Sequence, residues 1–143
     1  MARAQKFRFI FCVLAAAIFC GLVGCAAYLR SATTVVQDYV SPDGKREAIV
    51  LVVNGGGMTG YTTALSIVDA HSKLAREFAI MRGRRDFLID DNDGVVRWGA
   101  KGEIDLNVRW LSDTAVLITY PKKARVIQQR DKDGEVAISY RTT

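Results

Sequence analysis

Residues 103–110 alternate without interruption between polar and apolar side chains. The even positions from Ile104 to Trp110 are apolar, and the odd positions from Glu103 to Arg109 carry charged or amide groups. Successive side chains of a β-strand point to opposite faces of the sheet, so this pattern predicts a strand with one buried face. On a helix, the same apolar residues would be spread around the axis. The segment therefore indicates a sheet that covers a hydrophobic core.

Other segments of the chain carry related patterns. The alternation is repeated in 136–140 and is softer in 61–67, whereas Ala48–Val53 and Ala115–Ile118 are apolar at nearly every position. Branched residues are frequent in both apolar runs, which is typical of central strands that are covered on two sides. An Asp-Gly pair suits turns that need a positive φ, and such pairs end three polar segments, at Gly44, Gly94 and Gly134.

The sequence predicts an all-β fold with one core. Its 143 residues suffice for a single domain but not for a closed propeller, which needs at least four blades of about 40 residues. Short connections favour antiparallel neighbours, so we expect an antiparallel meander that forms a small sandwich or half-open barrel. We expect a helical turn or two at 72–81 and strands at 34–40, 46–53, 61–69, 86–90, 95–98, 103–110, 114–120, 124–129 and 135–141.

The N-terminal segment has the features of an export signal. Arg3, Lys6 and Arg8 precede the charge-free run Phe9–Leu29, and small residues follow its apolar centre. The same run is long enough to span about 30 Å of hydrocarbon as an uncleaved signal anchor, a single transmembrane helix. The basic residues that precede it would keep the N-terminus in the cytoplasm. Both alternatives place the rest of the chain outside the inner membrane.

The segment Leu22-Val23-Gly24-Cys25 resembles the lipobox of bacterial lipoproteins. The resemblance implies that the Cys25 thiol receives a diacylglycerol, that the chain is cut after Gly24, and that the new N-terminus is acylated, for example with palmitate. We therefore expect a signal peptide at 1–24, a lipidated tether at 25–33 and an exported β domain at 34–143. Ala26 follows the cysteine, and in this position it resembles lipoproteins that are released to the outer membrane of two-membrane cells.

Cleavage would change both the charge and the cysteine content of the chain. It would remove three of the 20 basic residues and none of the 15 acids, so most of the formal net charge of +5 belongs to the signal. The remaining balance gives no reason to expect a nucleic-acid partner. Cys12 and Cys20 would leave with the signal and Cys25 would carry lipid. The exported domain would then be held together by its core without a disulfide.

A glycine-rich motif lies at Gly55–Gly60 and matches G-x-G-x-x-G. A dinucleotide site needs a helix to begin there, whereas the residues that follow have the alternation of a strand. The sequence therefore predicts a hairpin and no cofactor. A loop for a small polar ligand or a protein partner stays possible at this position, with the candidate residues Asn54, Gly55, Gly56, Gly57, Thr59 and Gly60.

No arrangement of side chains in the sequence predicts catalysis or metal binding. Ser66, Asp69 and His71 are crowded at one strand end, and the chain lacks a G-x-S-x-G elbow. A single histidine makes a zinc site improbable, and the acids before Gly94 and Gly134 do not have EF-hand spacing. We therefore expect no catalytic residue and no metal.

Two further groups of residues have alternative interpretations. The densest basic patch, Arg82–Arg85, is typical of a solvated loop, although it could contact phosphate headgroups or an anionic wall polymer. Trp98 and Trp110 are candidates for the core or an interface before they are candidates for a sugar platform. Trp110 falls on the apolar face of its predicted strand, and Trp98 is ambiguous.

From Ser41 to Tyr140 the chain resembles a group of small bacterial lipoproteins without an established reaction. The resemblance is carried by Ser41–Lys45, Gly57–Tyr61, Phe87–Asp90, Val108–Trp110 and Leu117–Tyr120. It implies an exported, anchored β domain in the cell envelope, facing the periplasm or the exterior, and it implies no catalytic residues.

We therefore expect a non-enzymatic binding or structural module that is attached to a membrane and has a possible envelope protein partner. The alternatives are a signal-anchored protein with the same domain, an inhibitor or immunity-type module, and an envelope hydrolase. An inhibitor module would insert an exposed loop, such as Asn54–Gly60 or Arg82–Arg85, into the cleft of its target.

Overall fold

The computed structural model describes residues 13–25, 32–55, 60–81 and 85–143. Residues 13–25 are helical and form α1, all of whose side chains are exposed. A second helix, α2, spans Lys73–Ile80. The remaining elements are nine strands: β1 (Thr33–Val40), β2 (Arg46–Asn54), β3 (Tyr61–Asp69), β4 (Phe87–Asp90), β5 (Asn107–Ser112), β6 (Ala115–Tyr120), β7 (Arg125–Gln129), β8 (Lys132–Asp133) and β9 (Val136–Thr142).

The strands form two sheets that pack face to face as a sandwich. Sheet A has the strand order β1-β2-β3-β4-β7, and sheet B has the order β5-β6-β9-β8. The all-β prediction is confirmed, and the first four strands form the expected antiparallel meander. One pair departs from it, because β6 and β9 are parallel. After β6 the chain crosses to sheet A as β7, so it returns beside β6 in the same direction.

The expected strand at 95–98 is wrong. Asn92, Asp93 and Gly94 all adopt positive φ, and the N–H of Val96 donates to the carbonyl of Asp91 over 2.9 Å. Three consecutive left-handed residues curl the chain into a loop, which prevents an extended conformation at this point. Gly44 and Gly134 also have positive φ, so the three Asp-Gly turns behave as expected.

The alternating segment 103–110 is confirmed in its burial, although its paired strand begins only at Asn107. Ile104, Leu106 and Val108 are buried, and the residues between them are more exposed. Ile104 lies before β5 and its N–H donates to Thr63 Oγ1 of sheet A over 2.7 Å. This part of the segment therefore passes between the two sheets, and the N–H of Ile104 is hydrogen-bonded to a side chain of sheet A and not to a neighbouring strand.

The main core lies between the sheets and is centred on Phe87, which is 0% exposed. Its ring lies 5.0 Å from the ring of Tyr120 and 5.0 Å from that of Tyr140, so side chains of both sheets meet there. The Tyr140 hydroxyl donates to the carbonyl of Arg130 over 2.6 Å. Burial raises the pKa of Tyr140 to about 12. The core also contains Ala48, Val50, Leu65, Ile67, Ile89, Ile104, Leu106, Val108, Val116, Ile118, Ala124, Val136 and Ile138.

Helix α2 covers a second apolar cluster on the outer face of sheet A. Ala79 packs there with Ile49, Leu51, Ala64 and Val68. The run Ala48–Val53 is therefore covered on both sides, as its composition indicates.

The helix itself is fixed by polar contacts. The hydroxyl of Ser72 accepts from the N–H of Ala75 over 3.2 Å and caps its first turn. Arg76 binds Glu47 of β2 and, over 3.2 Å, Asp38 of β1. These contacts connect the helix with two strands of the sheet below it.

The prediction that the run Ala115–Ile118 is also covered on both sides is wrong. Val116 and Ile118 are buried against sheet A, whereas Ala115 and Leu117 are half-buried on the opposite face. None of the described elements packs over this outer face of sheet B, so its side chains are free to contact other molecules.

The two ends of the sandwich differ in which connections they carry. Thr33 pairs with Val53 next to the β2–β3 hairpin, Asp90 pairs with Arg125, and Tyr120 pairs with Thr142 at the same end. We call this end, from which the chain leads back to α1, the tether end. The opposite far end carries the turns at 41–45, 112–114 and 133–135.

The central position of Phe87 gives a test of the sandwich. We expect Phe87→Ala to reduce the free energy of unfolding by about 3–5 kcal/mol, because it leaves a cavity between the sheets. The matched control is Phe78→Ala on α2, whose side chain is 64% exposed, with an expected change within about 0.5 kcal/mol. Urea unfolding of both purified variants measures the difference, and equal losses would contradict this packing.

Candidate functional site

The outer face of sheet B is a candidate for a binding surface. Its side chains line an open cavity of about 550 Å³. The strand registers set two rows across β5, β6 and β9: the first is Asn107, Thr119 and Arg141, and the second is Arg109, Leu117 and Ser139. Each row crosses three adjacent strands, so its outer members are separated by two strand spacings of about 4.8 Å.

Two arginines dominate the chemistry of this face. Within the described chain, neither Arg109 nor Arg141 forms a salt bridge, and Asp105 is the one acid among the lining residues. A guanidinium stays charged at any physiological pH and can donate two parallel hydrogen bonds to a carboxylate or phosphate. Thr119 is the neighbour of Arg141 on β6, and Asn107 is on the same strand as Arg109, so a hydroxyl and an amide group lie beside the arginines. The face is therefore suited to bind an anion.

A second cavity, of about 400 Å³, opens at the tether end. It shares Thr143 with the first cavity, so the two surfaces are continuous. Three exposed cations line it, and an apolar wall stands beside them. The cations are Arg97, Lys122 and Lys123, and the wall is made by Val95, Val96 and Pro121. We call these three cations and this wall the basic cavity.

An ion-pair network fixes the loops around the basic cavity. The Arg125 guanidinium donates to both carboxylate oxygens of Asp90, at 2.7–3.0 Å, and to Asp93 at 3.3 Å. The Asn92 side chain donates to the carbonyl of Lys123 over 3.2 Å, which holds the two loops together. Burial of Asp90 would raise its pKa, but the hydrogen bonds from Arg125 and from the Asn92 N–H lower that pKa below the usual value of 3.8.

The glycine-rich motif forms a hairpin. Strands β2 and β3 pair without a break up to Asn54 and Tyr61, and the N–H of Gly55 donates to the carbonyl of Gly60 over 3.0 Å. Gly60 has a φ of +66°, which other residues adopt only with strain. An antiparallel strand follows the motif where a dinucleotide site would require a helix, so the dinucleotide interpretation is excluded.

The candidate loop residues are only partly described. Asn54, Gly55 and Gly60 are exposed at the tether end, whereas Gly56, Gly57 and Thr59 lie outside the described residues. The half-exposed ring of Tyr61 packs edge-on against Trp98, with 5.9 Å between the ring centroids. The hairpin therefore adjoins the segment that leads from the basic cavity toward β5.

The predicted lipidation residues lie at the end of helix α1. Gly24 and Cys25 are exposed, and no other part of the described chain lies within 4 Å of a Cβ added at Gly24. Residues 1–12, which include the basic start of the expected signal and Cys12, lie outside the described residues, as do 26–31 of the tether. The helices within the described ranges are too short or too polar to cross a bilayer.

The triad residue types do not converge. Ser66 is buried in sheet A, whereas Asp69 is exposed at the end of β3 and His71 is exposed in the turn that follows. Asp69 Oδ1 accepts from the N–H of His71 over 2.9 Å, which is a turn contact. Over the four described ranges, no three acids, cysteines or histidines lie close enough together to hold a metal ion.

The remaining candidates have structural contacts. The Arg85 guanidinium donates to the carbonyl of Ala79 and caps the end of α2, while Arg82 and Arg84 lie outside the described residues. Trp110 points toward the core, as expected, and its indole N–H donates to the carbonyl of Tyr39 over 2.9 Å. Trp98 is half-buried against the core.

We call the outer face of sheet B, with Arg109 and Arg141, the arginine face. The sequence did not identify this face or the basic cavity. Alternation places Arg109 on the exposed side of its strand, but its approach to Arg141 depends on the parallel pairing of β6 and β9. The cations of the basic cavity come from segments more than 20 residues apart, so the sequence alone does not show that Arg97 joins Lys122 and Lys123.

The Asp90–Arg125 pair predicts a pH dependence of stability. Because the pKa of Asp90 is lowered in the folded protein, its stabilising effect is present above about pH 4 and is lost as the pH falls through that lowered pKa. We expect Arg125→Gln to lower the urea midpoint at pH 7 and to approach the wild-type midpoint toward pH 3. The control, Lys45→Gln, removes an exposed partner of Asp43 and should change little. A constant difference across this pH range would contradict the assignment.

Comparison with known proteins does not assign the chain to a group: no family model, curated protein or solved structure matches it.

Proposed function

We propose that the protein is an exported lipoprotein of the cell envelope. In this proposal Cys25 carries the lipid, and the β domain is a non-enzymatic binding module that faces the periplasm or the exterior. The observation that carries the proposal is the lipobox-like segment Leu22–Cys25, whose cysteine is exposed at the end of α1. The first strand begins at Thr33, so the anchor and the domain are separate parts of the chain.

The cysteine distribution supports this proposal. All three cysteines precede Ala26, and the domain that follows contains none. Its core is formed by aliphatic and aromatic side chains of two sheets. A domain of this kind needs no disulfide and exposes no thiol after lipidation, which suits an oxidising compartment.

The chemistry of the uncovered sheet face supports binding as its role. Arg109 and Arg141 are permanent cations and do not transfer protons at physiological pH. Thr119 and Asn107 beside them supply hydrogen bonds, and the half-buried Leu117 supplies apolar contact. These groups can select an anionic ligand or the acidic surface of an envelope protein without changing it chemically.

The lipidation proposal is tested with Cys25→Ser in cells that are supplied with a labelled fatty acid. We expect the variant to lose the label, to accumulate as an uncut precursor, and to have the mass of the unprocessed chain. Cys20→Ser is the matched control, because Cys20 is also exposed on α1 and should be dispensable for labelling. Stable attachment requires two or more acyl chains, so intact mass should also report the number of chains.

The same experiment distinguishes a lipid anchor from an uncleaved signal anchor. If the wild-type chain keeps residues 1–24 and carries no acyl group, the lipid anchor is refuted. Membrane attachment that survives in Cys25→Ser would instead support a single apolar helix as the anchor, provided that the wild-type chain and the variant both have the mass of the uncut chain without acyl groups.

A further inference from the structure

We infer that the tether end of the sandwich docks on the membrane surface, with the phosphate of an anionic phospholipid headgroup in the basic cavity. This inference rests on the proposed lipid anchor and adds an orientation and a second, electrostatic contact with the bilayer. Its argument comes from the path of the tether, the charges at the tether end and the shape of the basic cavity.

The tether restricts which part of the domain can reach the bilayer. Eight residue steps separate Cys25 from Thr33, which span at most about 28 Å when fully extended. Strand β1 enters the sandwich at the tether end and runs away from it for eight residues, about 26 Å. The tether end therefore stays close to the lipid, and the far end reaches it only if the domain turns over.

Basic side chains are concentrated and available at the tether end. Arg97, Lys122 and Lys123 are exposed, and none of them forms a salt bridge within the described chain. Three acids lie nearby: Asp90 and Asp93 are bound by Arg125, whereas the half-buried Asp91 forms no salt bridge within the described chain. Asp91 is therefore the acid of this loop that offsets part of the attraction of the three cations for an anionic surface.

The neighbouring groups add to this positive surface. Lys101 lies in the adjacent 99–103 turn, where its backbone N–H donates to the Glu103 carboxylate over 2.8 Å. Its ammonium group donates to the carbonyl of Val36, in the middle of β1, over 3.4 Å. Arg141 extends the positive surface onto sheet B, where Asp105 is the accompanying acid.

The far end has a different charge arrangement. Asp113, Asp131 and Glu135 are exposed in its turns, where they outnumber the exposed Lys132, and Lys45 is paired with Asp43 over 3.5 Å. An anionic bilayer would repel these carboxylates and attract the tether end. Charge therefore favours the same orientation as the tether.

The basic cavity matches a lipid headgroup better than it matches a bare anion. Its three cations can surround one phosphate, while Val95, Val96 and Pro121 form an apolar wall beside it. The Val95 side chain is 55% exposed, so this wall is open to an apolar neighbour. A phospholipid presents this combination, because its phosphate is attached to glycerol and acyl chains.

Lysine footprinting of the wild-type lipidated chain tests the docking. The chain is reconstituted into vesicles of phosphatidylcholine alone or with phosphatidylglycerol, treated briefly with an amine-acetylating reagent, and analysed by peptide mass spectrometry. We expect the acetylation rates of Lys122 and Lys123 to fall about fivefold or more in the anionic vesicles. Lys73 and Lys132, exposed away from the tether end, are internal controls whose rates should not change.

A charge reversal provides the second test. Docking should also protect Lys101 of the wild-type chain in anionic vesicles, because Lys101 lies in the adjacent 99–103 turn. Lys122→Glu combined with Lys123→Glu should remove this protection, whereas Lys45→Glu combined with Lys132→Glu should leave it intact. Both pairs change exposed residues by the same charge, so a difference between them reports position. Equal protection of Lys101 in the two double variants would overturn the docking.

Three further outcomes would each overturn the inference. Protection that is equal with and without phosphatidylglycerol would exclude recognition of an anionic headgroup. Uniform protection of all lysines would exclude a defined orientation. Inorganic phosphate, added to the detergent-solubilised chain at constant ionic strength, should not protect Lys122 and Lys123, and equal protection would assign the cavity to the free ion. Flotation is measured in parallel, because lost attachment refutes the anchor, whereas retained attachment without a footprint refutes only the docking.

Discussion

The packing of Phe87 against Tyr120 and Tyr140 is the contact on which the sandwich and its outer surface both depend. Phe87 comes from sheet A, and the tyrosines come from the parallel strands β6 and β9 of sheet B. Since consecutive strand residues point to opposite faces, inward tyrosines require that Thr119 and Arg141 point outward. A slip of β9 by one residue would bury Arg141 and expose Tyr140. The core therefore also determines where the arginine face lies.

The local sequence pattern was sufficient to predict most of the strands, because every second residue of a strand with one buried face is apolar. The alternation of 103–110 and the doubly buried run Ala48–Val53 both identified real elements. The pairing of β6 with β9 could not be read in this way, since it depends on where β7 and β8 take the intervening chain. The failed strand at 95–98 has a local cause, because the left-handed Asn92 and Asp93 use their backbone in a loop.

The candidate site was less accessible to sequence reasoning, since its charges become neighbours only in the folded chain. The basic run Arg82–Arg85 has three arginines in four residues, yet Arg85 is used to cap α2. The basic cavity combines Arg97 with Lys122 and Lys123, which come together through the network of Asp90, Asn92 and Arg125. The candidate site therefore depends on how the loops are placed in the folded chain, and the hydrophobic periodicity of the sequence does not predict that placement.

The proposed anchor and the proposed docking surface would do different work at the membrane. Without the signal, the basic and acidic residues nearly balance, so net charge alone would hold the domain to a bilayer only weakly. Charge attraction fades over about 8 Å at physiological ionic strength, which is much shorter than the extended tether of about 28 Å. The lipid would supply the local concentration, and the separation of charge between the two ends would select the orientation. The arginine face of sheet B, which lies along the side of the sandwich, would then remain open to an anionic ligand or a protein partner.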